Sequence, residues 1–154
     1  MLASVPVHIV GAGPEERALR KLAGELGGEV AFLGYRTGAE LDEAIRAARA
    51  VVLPSEWYEN APMSIMEAYA LGRPVIGARI GGIPELIRHG ETGAVFESGN
   101  AEDLADVMRQ FTNMEDSAVA DMGRQGRRWV EMEFTAQKYR YRILELYREL
   151  GVRF

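Results

Sequence analysis

The sequence contains no cysteine and only two histidines, and its only lysines are Lys21 and Lys138. Without cysteine there is no disulfide framework, no thiolate nucleophile and no thiolate zinc site. His8 and His89 cannot fill a metal coordination sphere by themselves, so no metal site is expected. No run of eighteen apolar residues occurs, and no apolar stretch follows a basic start near Met1. The expectation is a cytoplasmic chain that does not span a membrane. A formal net charge of -5 argues against a surface that neutralises phosphates along a nucleic acid, so nucleic acid is not an expected partner.

What is present is enough for one core. The chain has 154 residues, 47% of them hydrophobic and 27% charged, which is the balance of a folded globular protein. Short apolar, β-branched runs at 5–11, 29–34, 51–55, 74–78 and 93–98 alternate with helical patterns at 14–28, 39–50, 62–72, 83–90 and 101–111. In the first helical pattern Pro14 suits the opening turn and Gly27-Gly28 a C-terminal stop. The strands are apolar on consecutive positions, as a parallel sheet covered on both faces requires. The class is therefore α/β, a doubly wound, Rossmann-like parallel sheet spanning 1–112. Residues 113–154 read as two further helices packed on the same domain, the second with Tyr139, Ile143, Leu146 and Leu150 near one face.

Two glycine and acid patterns draw attention. Gly11 and Gly13 follow the first strand as in the G-x-G-x-x-G dinucleotide fingerprint, but the third glycine position holds Glu16, which would bring a carboxylate to a pyrophosphate. A tight turn explains these glycines better. The stretch ENAPMSIME places Glu59 and Glu67 on either side of a helix start, with Asn60 as a suitable N-cap and the helix expected from about Ala61. The loop leaves the carboxyl end of a strand, where open α/β sheets bind ligands. A helix N-terminus there offers free N–H groups and the positive end of a dipole to a phosphate, while carboxylates suit sugar hydroxyls. Taken alone, an E-x7-E spacing is better explained by a capping or solvated Glu59 and a surface ion pair at Glu67.

Four ordered blocks, IVGAGPEERALRKLA, VAFLGY, VVLPSEWYENAPMSIMEAYALGRPVIG and GGIPELIRHGETGAVF, resemble the C-terminal, donor-binding half of the GT-B retaining glycosyltransferases of family 4, the glycosyl transferases group 1. The resemblance implies that the chain binds a nucleoside-diphosphate sugar for a retaining hexosyltransferase-like enzyme, without a bound metal or other cofactor. It implies Glu59 as the catalytic contact to the transferred sugar and Glu67 as the ribose ligand. Ala61, Pro62 and Met63 would lie along the diphosphate, Gly34 and Tyr35 would lead to the nucleobase, and Gly81 and Gly82 would line the same cleft. Trp57 and Tyr58 would either wall the sugar site or pack on the sheet.

The chain also departs from the family pattern. Members carry one further strand and helix at the start of this domain, bearing an arginine and a lysine that clamp the diphosphate, and an acceptor-binding domain before it. With that first strand apparently absent, the sheet is expected to show a gap, a rearranged order or an edge that self-associates, and the 154-residue chain to be inactive alone. Arg79 is a candidate replacement cation. The longer protein is expected to be peripheral to a membrane at most. Alternatives are a non-catalytic nucleotide-binding regulatory module or an α/β interaction domain. His8 is expected to be a core histidine.

Overall fold

The computed structural model describes residues 5–152. Five strands, β1 (Val7–Val10), β2 (Val30–Gly34), β3 (Val51–Leu53), β4 (Val75–Ala78) and β5 (Gly93–Phe96), alternate with α1 (Glu16–Leu26), α2 (Gly38–Ala47), α3 (Met63–Ala70) and a 3-10 helix at Ile83–Leu86. Three helices follow: α4 (Ala101–Asn113), α5 (Asp116–Glu133) and α6 (Ala136–Glu149). Every strand pairing is parallel, with Val7 opposite Val30, Val51 opposite Val75, and Val75 opposite Gly93.

The sheet is in two pieces. β1 and β2 form one, and β3, β4 and β5, in that order, form the other. Among the described residues β1 and β3 each keep an unpaired edge. The split shows in burial: no described residue before Pro62 or after Gly126 is buried.

The core is built around β4. Successive side chains of a strand point to opposite faces, and β4 obeys this in both directions. Val75 joins Ile65, Ala68 and Tyr69 of α3 with Ile83, Leu86 and Ile87 on one face. Ile76 and Ala78 join Ala94 and Phe96 of β5 with Val107 and Phe111 of α4 on the other. A Cβ at Gly77 would meet Ile83 and Ile87, so the glycine lets the 3-10 segment sit directly on the strand. Helix α5 crosses α3 through its own glycines: a Cβ at Gly123 would overlap the Gly72 carbonyl, and one at Gly126 the Tyr69 ring.

Tyr69 is fully buried, and its hydroxyl donates to the Leu86 carbonyl at 3.1 Å and shares a 2.8 Å hydrogen bond with Thr92 Oγ1. Burial pushes this phenol up to about 12 from its ordinary 10, partly offset by the Thr92 hydrogen bond and the Arg88 charge.

Three local expectations are corrected. His8 is exposed: β1 alternates half-buried Val7 and Ile9 with exposed His8 and Val10. Alternate side chains point to opposite faces, and His8 falls on the open one. The helix expected over 83–90 is only the four-residue 3-10 turn. Ile87 is extended, and the chain turns through Arg88–Thr92, where Thr92 Oγ1 accepts from the Arg88 N–H. Pro14 stands in the turn before α1, whose N-cap is Glu15, while Gly27 closes that helix in the left-handed region as expected. Of the C-terminal helices, α5 buries Val119, Gly123 and Gly126, whereas α6 buries none of its residues. No helix among the described residues is long and apolar enough to cross a membrane.

Candidate functional site

β3 ends at Leu53, and the chain runs through Pro54–Ala61 before α3 begins. The helix starts at Met63, with Pro62 as its N-cap in extended geometry, and not near Ala61 with Asn60 as cap. The cause is local: the residue before a proline is disfavoured in the helical region, so the helix does not begin at Ala61. No side chain caps this helix. Its first N–H groups, beginning with Met63 and Ser64, have no carbonyl one turn back within the helix, and this end follows the loop that leaves β3. Pro62 is buried and has no N–H to give; Ala61 and Met63 are exposed.

Glu59 is half-buried and held at both ends. Its carboxylate accepts a hydrogen bond from Ser55 Oγ at 2.5 Å. Its backbone carbonyl accepts from the Gly82 N–H at 2.8 Å. The Gly81-Gly82 turn does more than border a cleft. Gly81 has φ +55, and a Cβ there would stand 2.5 Å from the Glu59 carbonyl oxygen; one at Gly82 would overlap the Asn60 carbonyl. Only glycine allows the two loops to lie so close.

A third loop joins them after β5, where Ser98 Oγ donates to the Ser55 carbonyl at 3.1 Å. Beside it, Arg79 leaves β4, gives its N–H to the Phe96 carbonyl and donates Nε to Glu97 Oε1 at 2.6 Å. Ser98 and Glu97 had no local signal in the sequence, because their contacts to Ser55 and Arg79 cross 43 and 18 residues, whereas the Ser55–Glu59 bond spans only four.

Glu67 is exposed, four residues after Met63. At 3.6 residues per turn it stands above Met63 on the same outward stripe, opposite Ile65, Ala68 and Tyr69, which face the core. Its carboxylate has no hydrogen-bonding or ionic partner among the described residues. Trp57 and Tyr58 are 83% and 88% exposed, which rules out packing on the sheet.

Gly34 and Tyr35 belong to the other piece of sheet. Gly34 has φ +70 and its carbonyl accepts from the Gly11 N–H at 2.8 Å; Tyr35 is exposed. Among the described residues no hydrogen bond or ion pair ties them to Glu59 or Glu67. The structure thus gathers Glu59, Asn60, Gly81 and Gly82 in direct contact and sets Ala61, Pro62, Met63 and Glu67 on the adjoining helix start. Two clefts lie elsewhere, one of about 270 Å³ lined by residues including Arg88, Arg128 and Trp129, the other of about 430 Å³ by residues including Arg20, Val30 and Phe32.

The model of the family described as glycosyl transferases group 1 matches residues 2–129, a span that holds both sheet pieces and the whole rim. The chain belongs to that family. It is 36% identical over 132 residues to an N-acetyl-alpha-D-glucosaminyl L-malate synthase of Bacillus anthracis, covering 84% of this chain and 34% of that protein. It is 35% identical over 111 residues to a sulfoquinovosyl transferase of Arabidopsis thaliana, covering 70% and 21%. The chain thus spans about a third of the length of the first of these relatives and about a fifth of the second. Among solved structures, Anabaena HepE in complex with UDP superposes with a TM-score of 0.81 at 26% identity, covering 94% of this chain and 41% of HepE. The fold is the Rossmann-like C-terminal half of the GT-B glycosyltransferases.

Proposed function

We propose that this chain is the donor-binding half of a glycosyltransferase that moves a sugar from a nucleoside diphosphate to an acceptor hydroxyl with retention of configuration. The observation that carries the reading is the rim of β3: a carboxylate fixed by Ser55 and the Gly81-Gly82 turn stands beside an uncapped helix start, with a second, unpartnered carboxylate one turn in. HepE, which shares the fold, has been solved with UDP and with UDP-glucose.

In this reading the diphosphate lies on the first N–H groups of α3, where the helix dipole and unpaired amides favour negative charge. Glu67 accepts hydrogen bonds from ribose hydroxyls and Glu59 from the transferred sugar. Gly34 and Tyr35 meet the base. In transfer, the bond between the anomeric carbon and the β-phosphate oxygen breaks and a bond from the acceptor oxygen to that carbon forms on the same face. The acceptor's proton passes to an oxygen of the departing nucleoside diphosphate. No protein nucleophile and no bound metal enters the proposal, and developing charge on the diphosphate is met by oriented N–H groups. The acceptor is held by a separate domain of the longer protein.

Calorimetric titration of the folded chain with UDP, GDP and ADP tests the reading. One of them is expected to bind, and Glu67→Ala to weaken it by about tenfold, the loss of a charge-assisted hydrogen bond. Absence of heat with all three would overturn it.

A further inference from the structure

The rim described above is rich in negative charge. Glu59 and Glu97 stand on its loops and Glu67 one turn into α3, and a diphosphate would add more. A helix N-terminus supplies only about half a positive charge, so a dianion on this rim calls for a mobile cation. Arg79 has the placement for it. It leaves β4 on the rim itself, two residues before the Gly81 turn that touches Glu59. Its partner Glu97 is one residue before Ser98, which is bonded to Ser55, the residue that fixes Glu59. The arginine therefore stands between two loops that both contact the Ser55–Glu59 segment.

Its ion pair with Glu97 is open to water, with the two side chains 52% and 61% exposed. Exposed pairs contribute little to stability, so leaving Glu97 costs little. A guanidinium on phosphate makes two parallel charge-assisted hydrogen bonds, which is the stronger arrangement. We propose that Arg79 exchanges Glu97 for the donor's diphosphate, making it a ligand of the leaving group with Glu97 as its resting partner. This rests on the nucleotide-sugar reading of the site.

The exchange makes two substitutions act in opposite directions. NMR titration of the chain with UDP, or with GDP or ADP where that binds better, and with the matching nucleoside separates the effects. Arg79→Ala is expected to weaken the diphosphate by about tenfold and leave the nucleoside unchanged, with Arg79→Lys intermediate. Glu97→Gln, which frees the arginine, is expected to tighten the diphosphate severalfold. Arg109→Ala, which removes an exposed arginine paired with Asp106 on α4, is expected to change neither and controls for net charge. If Arg79→Ala and Glu97→Gln shift the affinity the same way, or Arg79→Ala weakens nucleoside and diphosphate alike, the pair is structural and the inference is overturned while the nucleotide reading stands. A wild-type chain that binds none of the diphosphates removes both.

Discussion

Ser55 Oγ donates to Glu59 Oε1 at 2.5 Å across a loop that has no regular structure of its own. The bond fixes one carboxylate oxygen and leaves the second without a hydrogen-bond partner among the described residues. Ser55→Ala is expected to leave affinity for a nucleoside diphosphate unchanged and to weaken the corresponding nucleotide sugar by about fivefold to tenfold, the worth of roughly 1 kcal/mol of lost orientation. Parallel titrations with UDP and UDP-glucose check it. Equal losses for both would place Ser55 in the loop's stability and not in sugar contact.

Gly126 lets α5 lie directly against the Tyr69 ring. Alanine is the better helix former by about 1 kcal/mol, yet here its methyl would enter the ring. Gly126→Ala is expected to destabilise the fold by about 1–3 kcal/mol, the usual cost of overpacking. Urea denaturation measures it, and a stabilised variant would show that the helices separate at no cost.

The raised Tyr69 phenol links stability to alkaline pH. The folded state holds this proton more tightly than the unfolded chain, so the contribution is complete below pH 10 and is lost as pH rises through about 12. A gap of this size corresponds to roughly 3 kcal/mol. The urea midpoint should fall between pH 9 and pH 11.5 more steeply in wild type than in Tyr69→Phe, which has no proton to lose. Identical slopes would contradict the assignment. The phenylalanine variant should also be less stable at pH 8 by about 1–3 kcal/mol, because the buried Leu86 carbonyl loses its donor.

The open edges of β1 and β3 present unpaired parallel strands, and such edges recruit other strands. The chain is expected to self-associate as its concentration rises. Light scattering at high concentration checks this, and a monodisperse monomer would count against it.

The alternating strands and helices were legible because a parallel sheet writes itself as separate apolar runs. β4 is the clearest case, with Val75 and Ile76 feeding opposite faces of one core. The start of α3 was displaced by two residues because Asn60 looked like a cap while Pro62 controls the backbone of Ala61. His8 was misread because burial depends on what covers each face of β1, and His8 lies on the face left open. Glu59 and Glu67 could be singled out by their position around a helix start. Arg79 could be named as a candidate cation, but its partner Glu97 and the Ser98–Ser55 contact could not: their meaning comes from three loops meeting at one rim, and nothing in a linear pattern says which loops meet. The glycines at 123 and 126 likewise take their meaning from distant chain, the Gly72 carbonyl and the Tyr69 ring against them.

The most direct measurement is amide NMR of the chain during titration with a nucleoside diphosphate. Docking on the start of α3 predicts that the N–H signals of Ala61, Met63 and Ser64 shift most, with Gly34 and Tyr35 following. Shifts centred on Arg88, Arg128 and Trp129, with the α3 start unmoved, would contradict it.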